Sequence, residues 1–337
     1  MSHKSKCIPI SVIIYFFICN INLITSIKTM AQETSHNTKN IYYHNKHFKY
    51  KQFDKPPLNY VTHCHFVGCY IKNINSNTLF HSSSHNNRFT SSIIENIHLT
   101  NKHLRNFSYY QSIITNTSLT SSIIKNATFY LTTFEDSKIQ STVFHNTTFE
   151  KTSFPNTQLN QVILLDCKLD YETEKKLTNQ PIILGYKALE QKAKEKTTLS
   201  NHPFFNITFN RLNLNYLHLN QSKFDFCTFK NVSLRHGKLT HAKLYKTTLE
   251  NIQGYKLQIH HTIINDSILK DSNIENASLK NSTIKQTTFI NINFDHSNWE
   301  NTTILNSKFK DCSFESIITK NIKIINSPTF GKIKEKN

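Results

Sequence analysis

Four side chains near the start of the chain, His63, Cys64, His65 and Cys69, are of the types that bind zinc. The two cysteines are five residues apart, and each precedes a large apolar residue by two positions. Cysteines placed in this way point into a core, whereas histidines beside them point outwards, so the four cannot share one ion. We therefore predict no metal site, and nothing in the sequence calls for a cofactor.

The other motifs of enzymes are missing from the sequence. It contains no phosphate-binding glycine loop, dinucleotide-binding fingerprint, nucleophile elbow or pair of carboxylates. The remaining histidines lack an acidic or nucleophilic partner at a suggestive spacing. The cysteines that follow the amino-terminal segment have no disulfide-framework spacing. We predict that they are free, buried thiols: Cys64, Cys69, Cys167, Cys227 and Cys312.

The chain is strongly basic, with 40 Lys+Arg against 22 Asp+Glu in 337 residues and a formal net charge of +18. Such a field attracts nucleic acid, anionic lipid or acidic protein surfaces. The alternative is a lysine-rich composition spread over a solvated surface. Only 5 glycines and 7 prolines are present, which disfavours folds built on phosphate loops or tight hairpins.

Basic and aromatic residues alternate between residues 42 and 60, as in the stretch Phe48-Lys49-Tyr50-Lys51. Rings beside cations suit single-stranded nucleic acid or a membrane interface. They also suit a cap whose rings cover the first coil of a repeat and whose charges prevent end-to-end association. We favour the cap.

The amino terminus has the order of a secretory signal peptide. Lys4 and Lys6 precede an apolar run from Ile8 to Leu23, and a small-residue cleavage site follows near Ala31. The run is short and polar for a stable membrane span, although a retained signal anchor is the alternative. We predict export to the envelope or the medium, with membrane attachment if the leader is not cleaved.

The elements that must position any functional group follow from a repeat of five residues. Large apolar side chains recur at this interval without exception in a first tract: Phe89, Ile94, Leu99, Leu104, Tyr109, Ile114, Leu119, Ile124, Phe129, Phe134, Ile139, Phe144, Phe149, Phe154, Leu159, Leu164 and Leu169. In a second tract they are Phe204, Phe209, Leu214, Leu219, Phe224, Phe229, Leu234, Leu239, Leu244, Leu249, Ile259, Ile264, Leu269, Ile274, Leu279, Ile284, Phe289, Phe294, Trp299, Ile304, Phe309, Phe314 and Ile324. Gly254 and Thr319 interrupt this ladder.

A period of five is neither the 3.6 of an α-helix nor the 2.0 of a flat strand. A chain that turns a corner every five residues keeps all these side chains on one axis, and four sides close a coil of about 20 residues. Two positions before each ladder residue the sequence has small side chains such as Ala127, Cys227 and Ser282. With strands about 4.8 Å apart, we expect one rod of about 10 coils, roughly 50 Å long.

Asparagine or aspartate recurs two positions after many ladder residues, as at Asn106, Asn116 and Asn126. We predict stacked amides at the corners. The pattern small, polar, Leu or Phe, polar, polar resembles the pentapeptide-repeat family over roughly three quarters of the chain. This resemblance implies an all-β fold, a right-handed quadrilateral β-helix.

The repeat stops between Leu169 and Phe204. Charged residues from Glu172 to Lys176 predict a short helix, and Pro181 stands where a second helix can start. An apolar stripe with basic neighbours follows, and it either packs on the rod, caps a sheet edge or binds a partner. The candidate partner-binding residues are Ile182, Tyr186, Leu189, Lys187 and Lys192.

These features divide the chain into six segments. They are a signal peptide or anchor (1–31), a basic and aromatic segment with the cap (32–62), the first repeat tract (63–169), the helical insertion (170–203), the second repeat tract (204–327) and a basic tail (328–337).

The sequence favours a non-enzymatic binding or scaffold protein, exported by a bacterium and acting through protein contacts on its rod. Binding of nucleic acid or an anionic membrane by the basic surface is the alternative, and a homodimer through a coil end is left open. Gyrase-protecting members of the family mimic duplex DNA, a role that the positive charge disfavours. An enzyme would need a deep polar cleft between the insertion and the rod.

Overall fold

A computed structural model describes residues 41–54, 58–73 and 85–327. The predicted leader (1–31) and basic tail (328–337) lie outside these residues. Within them, no helix is long and apolar enough to cross a bilayer.

The first tract is a stack of coils with four flat faces, each a parallel sheet. Face A consists of His103–Arg105, Ile123–Lys125, Val143–His145, Val162–Leu165 and Ile182–Leu184. Face B consists of His47–Lys49, His65–Val67, Arg88–Thr90, Ser108–Tyr110, Thr128–Tyr130, Thr148–Glu150 and Lys168–Leu169. Face C consists of Gln52–Asp54, Tyr70–Lys72, Ile93–Glu95, Ile113–Thr115 and Thr133–Glu135, and face D of His98–Thr100, Ser118–Thr120, Lys138–Gln140 and Gln158–Asn160. A short parallel pair joins Ile41–His44 to Leu58–Thr62.

From Arg88 onwards, paired residues in neighbouring coils are 20 positions apart, as Tyr109 and Phe129 are on face B. Each face therefore repeats the same position of successive coils. The predicted quadrilateral β-helix with a short helical insertion is confirmed as a four-sided parallel solenoid.

The corner residue, two positions after each ladder residue, has a positive φ in both tracts, for example 57° at Asn106 and 54° at Asn126. Asparagine tolerates this left-handed conformation better than most residues. Its amides also bond to one another between coils, because Asn146 Nδ2 donates to Asn126 Oδ1 (2.9 Å) and Asn126 Nδ2 donates to Asn106 Oδ1 (3.1 Å). The recurrent asparagine thus has two causes, the backbone conformation and the amide ladder.

The ladder residues fill the axis of each coil. On face B six rings stack in one column at centroid distances of 4.8 to 5.2 Å: Phe48, Phe66, Phe89, Tyr109, Phe129 and Phe149. Most ladder side chains are buried, but Phe154, Leu169 and Phe314 are half-buried and Ile324 is 41% exposed. These four belong to the last coils of their tracts, where no further coil covers them.

The small inward position has a hydrogen-bonding role that size alone does not explain. The backbone N–H of Thr262 donates to Ser282 Oγ (3.1 Å), and the N–H of Thr247 donates to Ser267 Oγ (3.1 Å). In both cases the serine lies one coil after the residue whose N–H it accepts. These N–H groups lie at corners where the strand ladder cannot reach them. Serine and threonine therefore replace alanine because they satisfy buried backbone groups.

The basic and aromatic segment contributes the first described coil. Phe48 pairs with Phe66 and Phe53 with Ile71, a step of 18 residues instead of 20. The rings of Phe48 and Phe53, together with Tyr43, pack on the apolar core of the first tract, which we call the first core. They cover the core as the cap interpretation requires, but they do so as ladder residues of a coil.

The first helix, α1 (Tyr171–Thr178), closes the first tract. Asp170 caps it, with its Oδ1 accepting from the Thr173 N–H (2.8 Å), and Leu177 is buried in the first core. The Thr152 N–H donates to Thr173 Oγ1 (3.1 Å), a bond that the next coil would otherwise supply. The helix thus takes the place of a further coil.

The second helix does not begin at Pro181, and that prediction was wrong. Ile182–Leu184 is a strand of face A paired with Val162–Leu165, and α2 spans Gly185–Lys194. β-Branched residues favour the strand. Gly185, with a φ of 77°, then adopts a conformation that strains other residues and turns the chain into the helix.

The second tract has its strands mainly on two faces, although Ile268–Asn273 and Thr288–Asn293 continue round a corner onto a third side. Face E consists of Pro203–Phe205, Lys223–Asp225, Lys243–Tyr245, Ile263–Asn265, Thr283–Lys285, Thr303–Leu305 and Lys323–Ile325. Face F consists of Thr208–Asn210, Thr228–Lys230, Thr248–Glu250, Ile268–Asn273, Thr288–Asn293 and Lys308–Lys310. The other two sides are held by single bridges such as Asn213 to Ser233. Gly254 is accommodated because a Cβ there would lie 2.8 Å from Ile274 Cγ2.

The two tracts do not form one straight rod, so the single rod of about 50 Å that the repeat predicted is wrong. Ile123, Val143 and Ile163 point outwards from face A, yet they are buried in the same apolar cluster as the second tract. Lys125 Nζ donates to the Asn206 carbonyl (2.9 Å). A straight continuation of the repeat would place these two residues about two and a half coils apart. The second tract therefore packs against the flank of the first.

Candidate binding groove between the two tracts

The candidate partner-binding residues of the insertion are mostly used inside the molecule. Leu189 is buried in the second core, and Ile182 and Tyr186 are half-buried against the two cores. The Tyr186 hydroxyl donates to Asp166 Oδ2 (2.9 Å).

The two lysines of that set differ in exposure. Lys192 pairs with Glu195 at 2.7 Å, and Lys187 is exposed. The apolar stripe thus joins the two tracts, and of the five candidates Lys187 is the exposed one.

The residues of the zinc-type cluster separate as the spacing predicted. Cys64 and Cys69 are buried, with each Sγ directed at a backbone carbonyl. His65 Nε2 lies 2.9 Å from Thr90 Oγ1, and His63 bonds to Asn86 on the surface. In the described residues no group of three or more His, Cys, Asp or Glu side chains could hold a metal ion.

All five described cysteines are free, but they are not equally buried. Cys167 and Cys312 are half-buried, whereas the prediction placed all five inside. Both lie in the last coils of their tracts. Burial raises the pKa of every one of these thiols, to about 12 for Cys167 and Cys227. Such thiols are poor nucleophiles at neutral pH.

One pair resembles the base and orienting acid of a catalytic triad. His145 Nε2 lies 3.1 Å from Asp166 Oδ2, and the same oxygen accepts from Tyr186. His145 Nδ1 is buried and has no partner among the described residues, so no hydroxyl or thiol is poised for activation. The pair instead ties the first tract to α2.

A concave site lies where the tracts meet. It is a groove of about 300 Å³ with one wall from face A and one from the first coil of the second tract. The lining residues are His103, Leu104, Arg105, Asn106, Ile123, Lys125, Asn126, Phe205 and Asn206. The set includes two basic side chains, Arg105 and Lys125, and no carboxylate, so the groove favours an anionic ligand.

Contacts across the groove hold the two walls together. The rings of His103 and Phe205 are 5.0 Å apart, and Lys223 Nζ lies 3.5 Å from Asn101 Oδ1. Burial lowers the pKa of the Lys125 amine, whose ammonium donates to a backbone carbonyl at the floor. The groove is thus a fixed feature of the packed tracts.

Charge beside the groove is partly neutralised by one carboxylate. Burial raises the pKa of Asp225, while His103 and the lysines at 223 and 243 oppose this shift. Burial also lowers the pKa of His103, which therefore stays neutral near pH 7. The positive charge at the groove comes from Arg105 and Lys125 of its lining, with Lys223 beside them.

An aromatic shelf continues from the groove along face E. We define it as Phe205, Phe226 and Tyr245, whose neighbouring rings meet edge to face at 5.6 Å. Phe226 is 45% exposed. Lys246 Nζ lies 5.4 Å from the Phe226 centroid and 5.2 Å from that of Tyr245. Flat rings and cations are therefore contiguous with the groove.

The groove residues were not among the sequence-based candidates. A signal was present at the position just before the ladder residue, which is normally polar but holds Ile123, Val143 and Ile163 on one face. Such a stripe indicates that the face is covered. It does not indicate what covers it, so the groove follows only from the packing of the tracts.

Comparison with known proteins identifies no relative by sequence, since no family model and no curated protein matches the chain. Among solved structures it is similar to QnrB1, a plasmid-mediated fluoroquinolone resistance protein, at 10% identity over 68% of this chain and 93% of that chain, with a TM-score of 0.31. It is similar to HetL, a pentapeptide repeat protein involved in heterocyst differentiation regulation from the cyanobacterium Nostoc sp. strain PCC 7120, at 12% identity over 68% and 87% (TM-score 0.23). It is also similar to the pentapeptide repeat protein Rfr23 from the cyanobacterium Cyanothece 51142, at 14% identity over 41% and 97% (TM-score 0.22).

At these scores the three likenesses carry no argument about function, and the fold rests on the chain's own repeat. The five-residue period, the four-sided coil and the parallel pairing at 20-residue intervals are all properties of this chain. By these properties the chain is a parallel β-solenoid built on a five-residue repeat.

Proposed function

We propose that the protein is an exported, non-enzymatic binding protein that recognises an acidic macromolecule at the junction of its two tracts. The observation that carries this proposal is the groove, whose lining includes Arg105 and Lys125 but no carboxylate. The formal net charge of +18 supports the same conclusion, because it draws acidic partners to the surface before they dock.

The chemistry of the side chains supports a binding role over catalysis. Burial raises the pKa of the described thiols, and no described hydroxyl or thiol bonds to the free Nδ1 of His145 in the His145 and Asp166 pair. An acidic protein and a nucleic acid both belong to the class of partner that the groove favours. Fixed walls also favour binding, because little side-chain freedom is lost when a ligand docks.

Export rests on the amino-terminal sequence, with its lysines, apolar run and small residues near Ala31. The test is to express the full chain in a bacterium and to identify the amino terminus of the mature protein by mass spectrometry. Cleavage near residue 31 and recovery outside the cytoplasm are expected. Recovery of the uncleaved chain in the cytoplasm would contradict export.

Binding is tested with three labelled acidic probes: a short oligonucleotide, polyglutamate and vesicles containing anionic lipid. We expect Arg105→Glu to weaken the binding of at least one probe much more than Lys308→Glu does. Lys308 serves as the control because it is exposed on face F, away from the groove. Equal losses from both charge reversals would show that the surface charge acts without a site, and the proposal would then be wrong.

A further inference from the structure

We propose that the groove and the aromatic shelf bind a single-stranded nucleic acid, with phosphates in the groove and a base on Phe226. This inference rests on the proposed recognition of an acidic partner and specifies its class. The observation behind it is that the cations of the groove and the exposed ring of Phe226 are contiguous, since Phe205 lines the groove and its ring contacts that of Phe226. Proteins that bind single strands combine a positive groove with rings on which bases stack.

The groove offers the donors that a phosphate needs. Arg105 is exposed and forms no ion pair with any described residue, so its guanidinium is free to take a phosphate in two parallel bonds. The Lys125 ammonium donates one of its N–H groups to the Asn206 carbonyl, and its other N–H groups can donate to a phosphate. Asn106 accepts from Asn126 but donates to no described residue, so its amino group is a further donor on the same wall.

Phe226 occupies a position that the fold alone does not favour for phenylalanine. It is a corner residue with a φ of 56°, where asparagine is the common choice. Its ring is 45% exposed and is held between Phe205 and Tyr245 rather than in the core. A strained, exposed ring beside a cationic groove indicates use as a stacking surface.

The geometry favours a single strand over the other acidic partners. In a duplex the bases stack on one another, so Phe226 would have nothing to stack against. An acidic peptide would use Arg105 and Lys125 but would leave the shelf without a role. A membrane needs a convex or flat surface, whereas this site is a groove between two tracts.

The test uses the full chain and fluorescence anisotropy with a labelled oligothymidylate of about 12 nucleotides, a length within the usual span of one binding site. The central variant is Phe226→Asn, because asparagine suits the corner and folding is retained. Its matched control is Tyr216→Asn, another exposed corner ring with a positive φ (66°) that lies away from the groove. We expect Phe226→Asn to weaken binding about 10-fold and Tyr216→Asn to leave it nearly unchanged.

The phosphate contact is tested by salt dependence. Arg105→Gln should reduce the slope of log affinity against log salt by about one, whereas Lys308→Gln should change it little. The inference would be overturned if Phe226→Asn and Tyr216→Asn weakened binding equally, or if Arg105→Gln and Lys308→Gln changed the salt slope equally. Binding of a duplex of the same length with equal affinity would also overturn it.

The same experiment separates this inference from the proposed function. If the binding of polyglutamate or anionic vesicles depends on Arg105 while the binding of the oligonucleotide does not, the groove does recognise an acidic partner. In that case the inference that this partner is a nucleic acid is wrong. If no probe depends on Arg105, both proposals fail.

Discussion

The two tracts share one sequence pattern but do not build the same coil. The first tract forms strands on all four faces, whereas the second forms them mainly on two and turns sharply on the others. At these turns the ladder carbonyl accepts from the N–H three residues later, as Leu234 does from Gly237 (3.0 Å) and Ile274 from Ala277 (3.2 Å). Ladder spacing therefore specifies a four-sided coil, while two corner geometries remain compatible with it.

The cores differ as well. The first tract has one column of six stacked rings, whereas the second has shorter stacks such as Phe204 on Phe224 and Phe289 on Phe309. The tracts belong to separate apolar clusters, and the second cluster includes the outer side of face A. Changes in one tract should consequently be felt first in that tract.

The largest effect is expected from Phe129→Ala. Phe129 is 2% exposed, stacks between Tyr109 and Phe149, and lines an internal cavity of about 40 Å³ that truncation would enlarge. We expect a loss of about 3–5 kcal/mol in the free energy of unfolding. Hydrogen exchange should rise in residues 103–169 far more than in residues 223–325. Equal increases in both tracts would show that they unfold as one unit.

A somewhat smaller loss is expected from Ile163→Ala at the contact between the tracts. Ile163 is fully buried although it points outwards from face A. Removing its side chain should cost about 2–4 kcal/mol in chemical denaturation. Thr128→Ala, at a half-buried position on the outward side of face B, is the control and should cost much less. A negligible loss at Ile163 would mean that the second tract does not rest on face A in solution.

Acid should weaken the junction before it weakens either coil. Burial lowers the pKa of His145, which also faces Lys125 and Asp166, and it lowers the pKa of His202, whose Nε2 lies 2.8 Å from the Gln161 carbonyl. Both imidazoles stay neutral when folded, whereas the unfolded chain binds protons near pH 6.5. Stability is therefore full above pH 6.5 and falls as the pH drops towards the folded pKa values.

The measurement compares unfolding at pH 7.5 and pH 5.5 for the native chain and for His145→Gln combined with His202→Gln. The double variant should lose less stability on acidification. If acid destabilises both proteins equally, the junction histidines do not carry the effect, and other histidines with lowered pKa, such as His65 and His260, become responsible.

The smallest effect is expected at the corners. Leu131 has a φ of 49° where most corners of its tract hold Asn, Asp, Ser or Gln. Leu131→Asn should stabilise the first tract by about 0.5–1 kcal/mol, because asparagine tolerates the left-handed conformation. The reverse change, Asn116→Leu, should destabilise it by a similar amount. If the two substitutions changed the free energy of unfolding in the same direction, the positive φ at the corners would not govern which residues occupy them.

Much of the fold followed from residue types. The ladder from Phe89 to Leu169 predicted the coil and its axis, because each corner resets the direction of the chain every five residues. The asparagine corners and the inward cysteines at 64 and 69 were equally predictable. The start of α2 was misjudged because Ile182 fits the helical spacing of the apolar stripe, while Ile182–Leu184 is also apolar enough for a strand. Pairing with Val162–Leu165 decided in favour of the strand.

The groove could not be predicted, since it joins Arg105 and Lys125 of the first tract to Phe205 and Asn206 of the second. No local pattern sets the angle between two capped stacks. Periodicity is a short-range property of the chain, so the amino-acid sequence by itself determined the coil, its corners and its core. The break at residues 170–203 freed the second stack to dock on face A, and the burial of outward apolar side chains there decided where cations and rings would meet.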